Sequence, residues 1–167
     1  HRIANLANAS ALIYESLEDL NWAGFYLLEG ESLVLGPFQG KPAGARIRMN
    51  EGVCGRAAWK GITVCSQQTG EDPHAIPGVR SEIAVPLRNS AGEVIGVLNL
   101  DSSEEGRFGP EEQALIERFA LEVEIGITGF EEEGYVKSLN ALEIGISSMK
   151  LGGGRETLED KIDMAAG

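Results

Sequence analysis

Two apolar runs, Ile83 to Leu87 and Val94 to Leu100, are joined by the polar stretch Arg88-Asn89-Ser90-Ala91-Gly92-Glu93. Runs of strand length with turn residues between them read as an antiparallel hairpin, and this one falls near the middle of the chain. Whatever else forms must be assembled around that hairpin.

The flanking segments supply the rest of a sheet and its covering helices. Ile3, Leu6, Ala9, Leu12, Ile13 and Leu17 recur at helical spacing, which predicts an amphipathic helix over a sheet. Trp22 to Leu28 and Leu33 to Leu35 are strand-like, with Gly30 available for positive φ in the turn between them. Gly36 to Ala45 is rich in Gly and Pro and reads as a loop. Arg46 to Met49 alternates as a strand with one wet face does, Glu51 to Trp59 suggests a short helix, and Ile62 to Cys65 a further strand. Ser66 to Val79 is a long polar loop, of the kind that is more often functional than filler. Pro110, Glu111 and Glu112 open a second long helix with a wide apolar face that includes Leu115, Ile116, Phe119, Leu121 and Val123.

Composition narrows the function classes. At 167 residues and 43% hydrophobic, the chain suffices for one ordinary domain with an appendage, not two. The net charge of −12, from 26 acidic and 14 basic side chains, argues against nucleic acid or anionic membrane as partner, since phosphate binding needs clustered Lys and Arg. No apolar stretch approaches the roughly 20 residues that cross a bilayer, and the first residues lack the layout of a signal peptide, so a soluble cytoplasmic protein is expected. Two cysteines without paired spacing read as cytosolic thiols, and with His1 and His74 they make no zinc set; no cofactor is expected.

Several motifs carry a resemblance. Gly52-Val53-Cys54-Gly55, Gly78-Val79-Arg80-Ser81-Glu82-Ile83-Ala84-Val85-Pro86-Leu87 and Gly96-Val97-Leu98-Asn99-Leu100-Asp101-Ser102 resemble a GAF domain. Asn21-Trp22-Ala23-Gly24-Phe25-Tyr26-Leu27 and Gly36-Pro37-Phe38-Gln39-Gly40-Lys41-Pro42-Ala43 are similar to the free methionine-R-sulfoxide reductases, GAF domains turned into thiol enzymes. The resemblance implies an α+β fold over about residues 1–130: a central antiparallel sheet with the terminal helices on one face.

It also implies a chemistry, and the chain departs from it. Thiol reduction of a sulfoxide needs a nucleophilic thiolate and a second thiol to resolve the sulfenic acid to a disulfide, which a thioredoxin-like partner then opens. Where the family reads Lys-Pro-Ala-Cys this chain has Gly44, and the Cys-Asp segment that holds the family's nucleophile is missing between Gly78 and Arg80. Only Cys54 matches a family cysteine. Of the family's pocket carboxylates Glu82 and Asp101 are matched, whereas Asn99 replaces an Asp on the same face of the strand as residue 101.

Each candidate residue has two readings. Cys54, in the first turn of a short helix, is either a thiol activated by unpaired backbone N–H groups or a small packed side chain. Asp101 and Ser102 bind a ligand or end a strand. Trp22, Tyr26 and Phe38 line a pocket or fill a core, and Trp59 carries the same choice. His74 reads as an exposed loop residue. The resulting expectation is a GAF domain that binds a small molecule, with thiol catalysis lost or weakened. The rival is an active reductase using Cys54 and Cys65, served by thioredoxin.

Residues 131–167 break the pattern. Gly134 to Gly145 and Met149 to Asp163 resemble a stretch near the C-terminal domain of pyrimidine nucleoside phosphorylases, which implies an appended strand-helix tail without the phosphorylase's catalytic residues. Gly152-Gly153-Gly154 reads as a helix-ending turn. A recombined chain whose tail drives homodimerisation is the third reading.

Overall fold

A computed structural model describes residues 2–68 and 77–127. The sequence expectations for His74, for most of the Ser66 to Val79 loop and for the tail over 131–167 lie outside the described residues.

The expected hairpin forms, and both its strands lie in the interior of the sheet. β5 (Ser81–Arg88) and β6 (Val94–Ser102) pair antiparallel, with Glu82 opposite Asp101 and Ala84 opposite Asn99. Asn89 shapes their turn, its side-chain oxygen accepting from the backbone N–H of Ala91 and of Glu93. β1 (Trp22–Glu29) pairs with β6 on one side and with β2 (Ser32–Gly40) on the other. β3 (Arg46–Arg48) and β4 (Val64–Ser66) close the edges, giving the order β3-β2-β1-β6-β5-β4, antiparallel throughout.

Strand alternation sends side chains to two different cores. On one face, α1 (Arg2–Ser16) and α3 (Pro110–Ile127) cover Ala23, Phe25, Ile83, Val85, Leu87, Leu98 and Leu100 with Leu6, Ala9, Ile13, Ile116, Phe119 and Val123. Both terminal helices therefore lie on one face, as expected for this α+β fold. On the other face α2 (Gly52–Lys60) lays Val53, Cys54, Ala57 and Ala58 over Trp22, Tyr26, Ala84 and Val97. Gly61, at φ 64°, ends α2 by donating its N–H to Ala57 O.

Four expectations need correction. Gly36 to Gly40 is not loop but the second half of β2, because Gly36 and Pro37 sit in a bulge opposite Phe25, where a missing N–H is tolerated, and pairing resumes at Phe38. The edge strand β4 begins at Val64, two residues later than expected, after the left-handed turn at Gly61. Trp59 is 65% exposed, since the small residues 53, 54, 57 and 58 define the inner face of α2 and residue 59 lies outside it. Ile3, in the first turn of α1, and Leu121, out of phase with the buried stripe of α3, are also exposed.

Candidate functional site

Three rows of cross-strand partners build the wall beneath α2. Ser66, Glu82, Asp101, Trp22 and Gly40 form one row, Val64, Ala84, Asn99, Gly24 and Phe38 the next, and Pro86, Val97, Tyr26 and Leu35 the third. Trp22, Tyr26, Glu82, Asn99 and Asp101, scattered over 80 positions of sequence, thus share one face across three strands.

Aromatic rings occupy one side of this wall. Trp22 stacks on Tyr26 at 5.8 Å and on Phe38 at 5.2 Å between ring centroids. Their polar atoms reach the segment that follows β2: Trp22 Nε1 donates to Lys41 O at 3.1 Å, and the Tyr26 hydroxyl donates to Gly44 O at 3.0 Å. The rings therefore fill a core and at the same time tie down the chain that borders the pocket.

The polar side is a small network. One oxygen of Glu82, Oε1, accepts from the Cys54 thiol at 3.8 Å and from Asn99 Nδ2 at 3.0 Å. The second hydrogen of the Asn99 amide goes to Ile83 O at 3.1 Å. Asp101 is 2% exposed, and its Oδ1 has no hydrogen-bond partner. Burial, and next the neighbouring Glu82 charge, push the Asp101 carboxyl well above the usual carboxylate range; the Asn99 amide nearby pulls it back only in part. Tyr26 is raised as well, by burial first and then by Cys54, Asp101 and Glu82, so its phenol keeps the proton it donates to Gly44.

A cavity of about 520 Å³ opens at this end of the sheet, lined by Trp22 and Asp101 together with Tyr14, Leu20, Asn21, Gly40, Lys41, Pro77 and Val79. Tyr14, Leu20, Asn21 and Lys41 were not anticipated as pocket residues. Lys41 was legible only as part of a motif, and nothing in a helix-to-strand connection marks Leu20 and Asn21 in advance.

The two cysteines are not brought together. Cys54 faces Glu82 on the α2 side, whereas Cys65 pairs in register with Ile83, packs against the terminal-helix core and lies 3.7 Å from Phe108 O. The sheet stands between them, and neither thiol is part of a disulfide among the described residues. The Cys54–Cys65 couple that the rival reading requires is therefore not formed in this structure. Burial raises the Cys65 thiol above its ordinary value. Among the described residues no group of three or more His, Cys, Asp and Glu is arranged to hold a metal ion, and no helix is long and apolar enough to cross a membrane.

A curled antiparallel sheet with the terminal helices on one face, a short helix on the other and a cavity at one end defines a GAF domain. The GAF domain family model matches residues 2–127, and the chain belongs to that family. Within it the chain is closely similar to free methionine-R-sulfoxide reductases. The Escherichia coli (strain K12) free methionine-R-sulfoxide reductase is 45% identical over 129 residues, 73% of this chain and 75% of that protein. Among solved structures, the reduced form of fRMsr of Staphylococcus aureus superposes with a TM-score of 0.72 at 36% identity, covering 76% of this chain and 84% of the other. The free methionine-R-sulfoxide reductase of Neisseria meningitidis in complex with its substrate gives 0.70 at 38% identity, over 83% and 81%. The pyrimidine nucleoside phosphorylase C-terminal domain model matches residues 135–167.

Proposed function

We propose that this chain is a small-molecule-binding GAF domain on the free methionine-R-sulfoxide reductase scaffold, with thiol turnover lost or much weakened. The observation that carries this is the placement of its two cysteines on opposite faces of one sheet. Turnover through a disulfide requires Cα atoms within about 7 Å and side chains pointing toward each other. Gly44 and the missing Cys-Asp segment leave no other thiol to take the second role.

The pocket keeps what binding needs. Trp22 and Asp101 line a cavity of about 520 Å³, which is of ligand size, and Tyr26, Glu82 and Asn99 stand on the same face of the sheet behind them, with Asn99 fixing Glu82. A small cationic or zwitterionic molecule related to methionine sulfoxide is the class this wall suits. The tail belongs to a recombined chain in this account, and the acidic surface favours neither nucleic acid nor membrane.

The test pairs catalysis with binding. An NADPH-coupled thioredoxin assay with the R and S sulfoxides of free methionine, run beside Cys54→Ser, is expected to give no turnover with either protein. Titration calorimetry with the same sulfoxides and with methionine is expected to give saturable heat. Turnover of the R form that disappears in Cys54→Ser would restore the enzyme.

A further inference from the structure

We propose that Asn99 is a positioning residue that sorts one proton between two carboxylates: it holds Glu82 as the anion and leaves Asp101 as the acid. The pocket wall then offers one negative charge beside one O–H donor, where its count of carboxyl groups gives two charges. The consequence for a ligand rests on the binding function proposed above; the sorting itself does not.

The geometry is unsymmetrical in a way that selects the site of the proton. Glu82 and Asp101 are register partners on β5 and β6 and face the same side, so two charges there repel at short range and one carboxyl retains its proton. Donors decide which. A primary amide has two N–H hydrogens, and Asn99 spends one on Glu82 Oε1 and the other on Ile83 O. The Cys54 thiol reaches the same Glu82 oxygen from α2. Two donors on one oxygen favour its anion. The same amide lies near Asp101 and offsets its burial only in part, and the sealed Oδ1 of Asp101 meets no donor among the described residues. An unpartnered oxygen at that depth costs far less on a neutral acid than on a carboxylate.

Among the described residues, the other groups named around the pair do not reverse this. Tyr26 faces them from β1 with its hydroxyl committed to Gly44 O, and Tyr14 from α1 lines the cavity beyond. Lys41 borders the same cavity without an ion pair to Asp101 among the described residues. An aspartate at position 99, as in the resembling reductases, has no N–H to give Glu82, so the sorting belongs to this chain.

The experiment is a pH titration of side-chain carboxyl carbons by NMR on the ligand-free full chain, with Asp101→Asn and Glu82→Gln used to assign the two signals. Apparent midpoints of the pair are compared, since the two groups titrate together. Asp101 is expected to titrate after Glu82. In Asn99→Ala the Glu82 midpoint is expected to rise by about one to two pH units, the worth of one hydrogen bond to a charged group. Asn99→Asp, which keeps the volume and exchanges donor for acceptor, is expected to raise Glu82 as well and serves if the alanine variant does not fold. A purely structural Asn99 moves neither order nor midpoint. Asp101 titrating with or before Glu82 in the wild type overturns the proposal, as does a Glu82 midpoint unmoved in the folded variants. Late titration of Asp101 in a protein that binds no methionine sulfoxide defeats the binding function and leaves the proton sorting standing.

Discussion

Gly24 and Phe38 face one another across β1 and β2 with no space for a side chain at Gly24. A Cβ there meets the Cβ of Phe38, and lies 2.8 Å from the Trp22 ring. The bare backbone at Gly24 is what lets Phe38 slide over β1 and stack on Trp22.

Gly24→Ala is therefore expected to destabilise the fold by about 1–3 kcal/mol, the range for overpacking a filled core. Urea unfolding followed by Trp fluorescence measures it. A midpoint equal to that of the wild type would show that the ring stack yields without cost.

The separation of the thiols has a direct readout. Treatment of the folded chain with a disulfide-forming oxidant is expected to leave both cysteines available to alkylation after a brief exposure and denaturation, or to give only adducts with added thiols. Peptide mapping that finds Cys54 joined to Cys65 within one native chain would contradict the placement of the two on opposite faces.

Gly44 presents the reverse of Gly24. Its φ is ordinary, and a Cβ built there meets nothing within 4 Å, so only its carbonyl, the acceptor for Tyr26, is engaged. Gly44→Cys is expected to change stability by no more than about 0.5 kcal/mol, as for other substitutions that touch nothing. It is also expected to give no sulfoxide turnover by itself, because the segment that carries the family's nucleophile is still missing. The coupled thioredoxin assay on this variant decides that point.

Asp101 leaves its mark on stability against pH. The folded chain holds the Asp101 proton above the ordinary carboxylate value at which the unfolded chain releases it. Between those two values the unfolded state binds fewer protons, so stability falls as pH rises through that window, and the loss is complete above the folded value. Asp101→Asn removes the ionising group and is expected to gain on the wild type over the same window, by about 1.4 kcal/mol for each unit by which the pKa is raised. Denaturant unfolding from acid to neutral pH checks the slope; parallel curves for the two proteins would mean that Asp101 ionises freely when folded.

Much of this fold was legible from local signals. The β5–β6 hairpin, the β1–β2 turn and the start of α3 each follow from residues close in sequence, and alternation put Trp22 with Tyr26, and Asn99 with Asp101, on one face of their strands; the strand register joins these faces and adds Glu82. What escaped was decided at a distance. Gly36 and Pro37 look like a loop until β1 is there to absorb them in a bulge. Trp59 has the hydrophobicity of a core residue, yet the phase of α2 is set by small neighbours that fit against the sheet. That Glu82 Oε1 takes both Cys54 and Asn99 depends on three elements meeting, which no spacing along the chain encodes.

The two-sidedness of the sheet turns residue parity into a design rule. Along β1 and β5 the even positions, Trp22, Gly24, Tyr26, Glu82 and Ala84, face the cavity side, and along β6 the odd positions Val97, Asn99 and Asp101 do; their alternates Ala23, Phe25, Ile83, Val85, Leu98 and Leu100 are packed under the terminal helices. Substitutions drawn from the first set leave the core beneath the terminal helices untouched, so recognition can be altered from one face of the sheet while the packing of the other is kept as it stands.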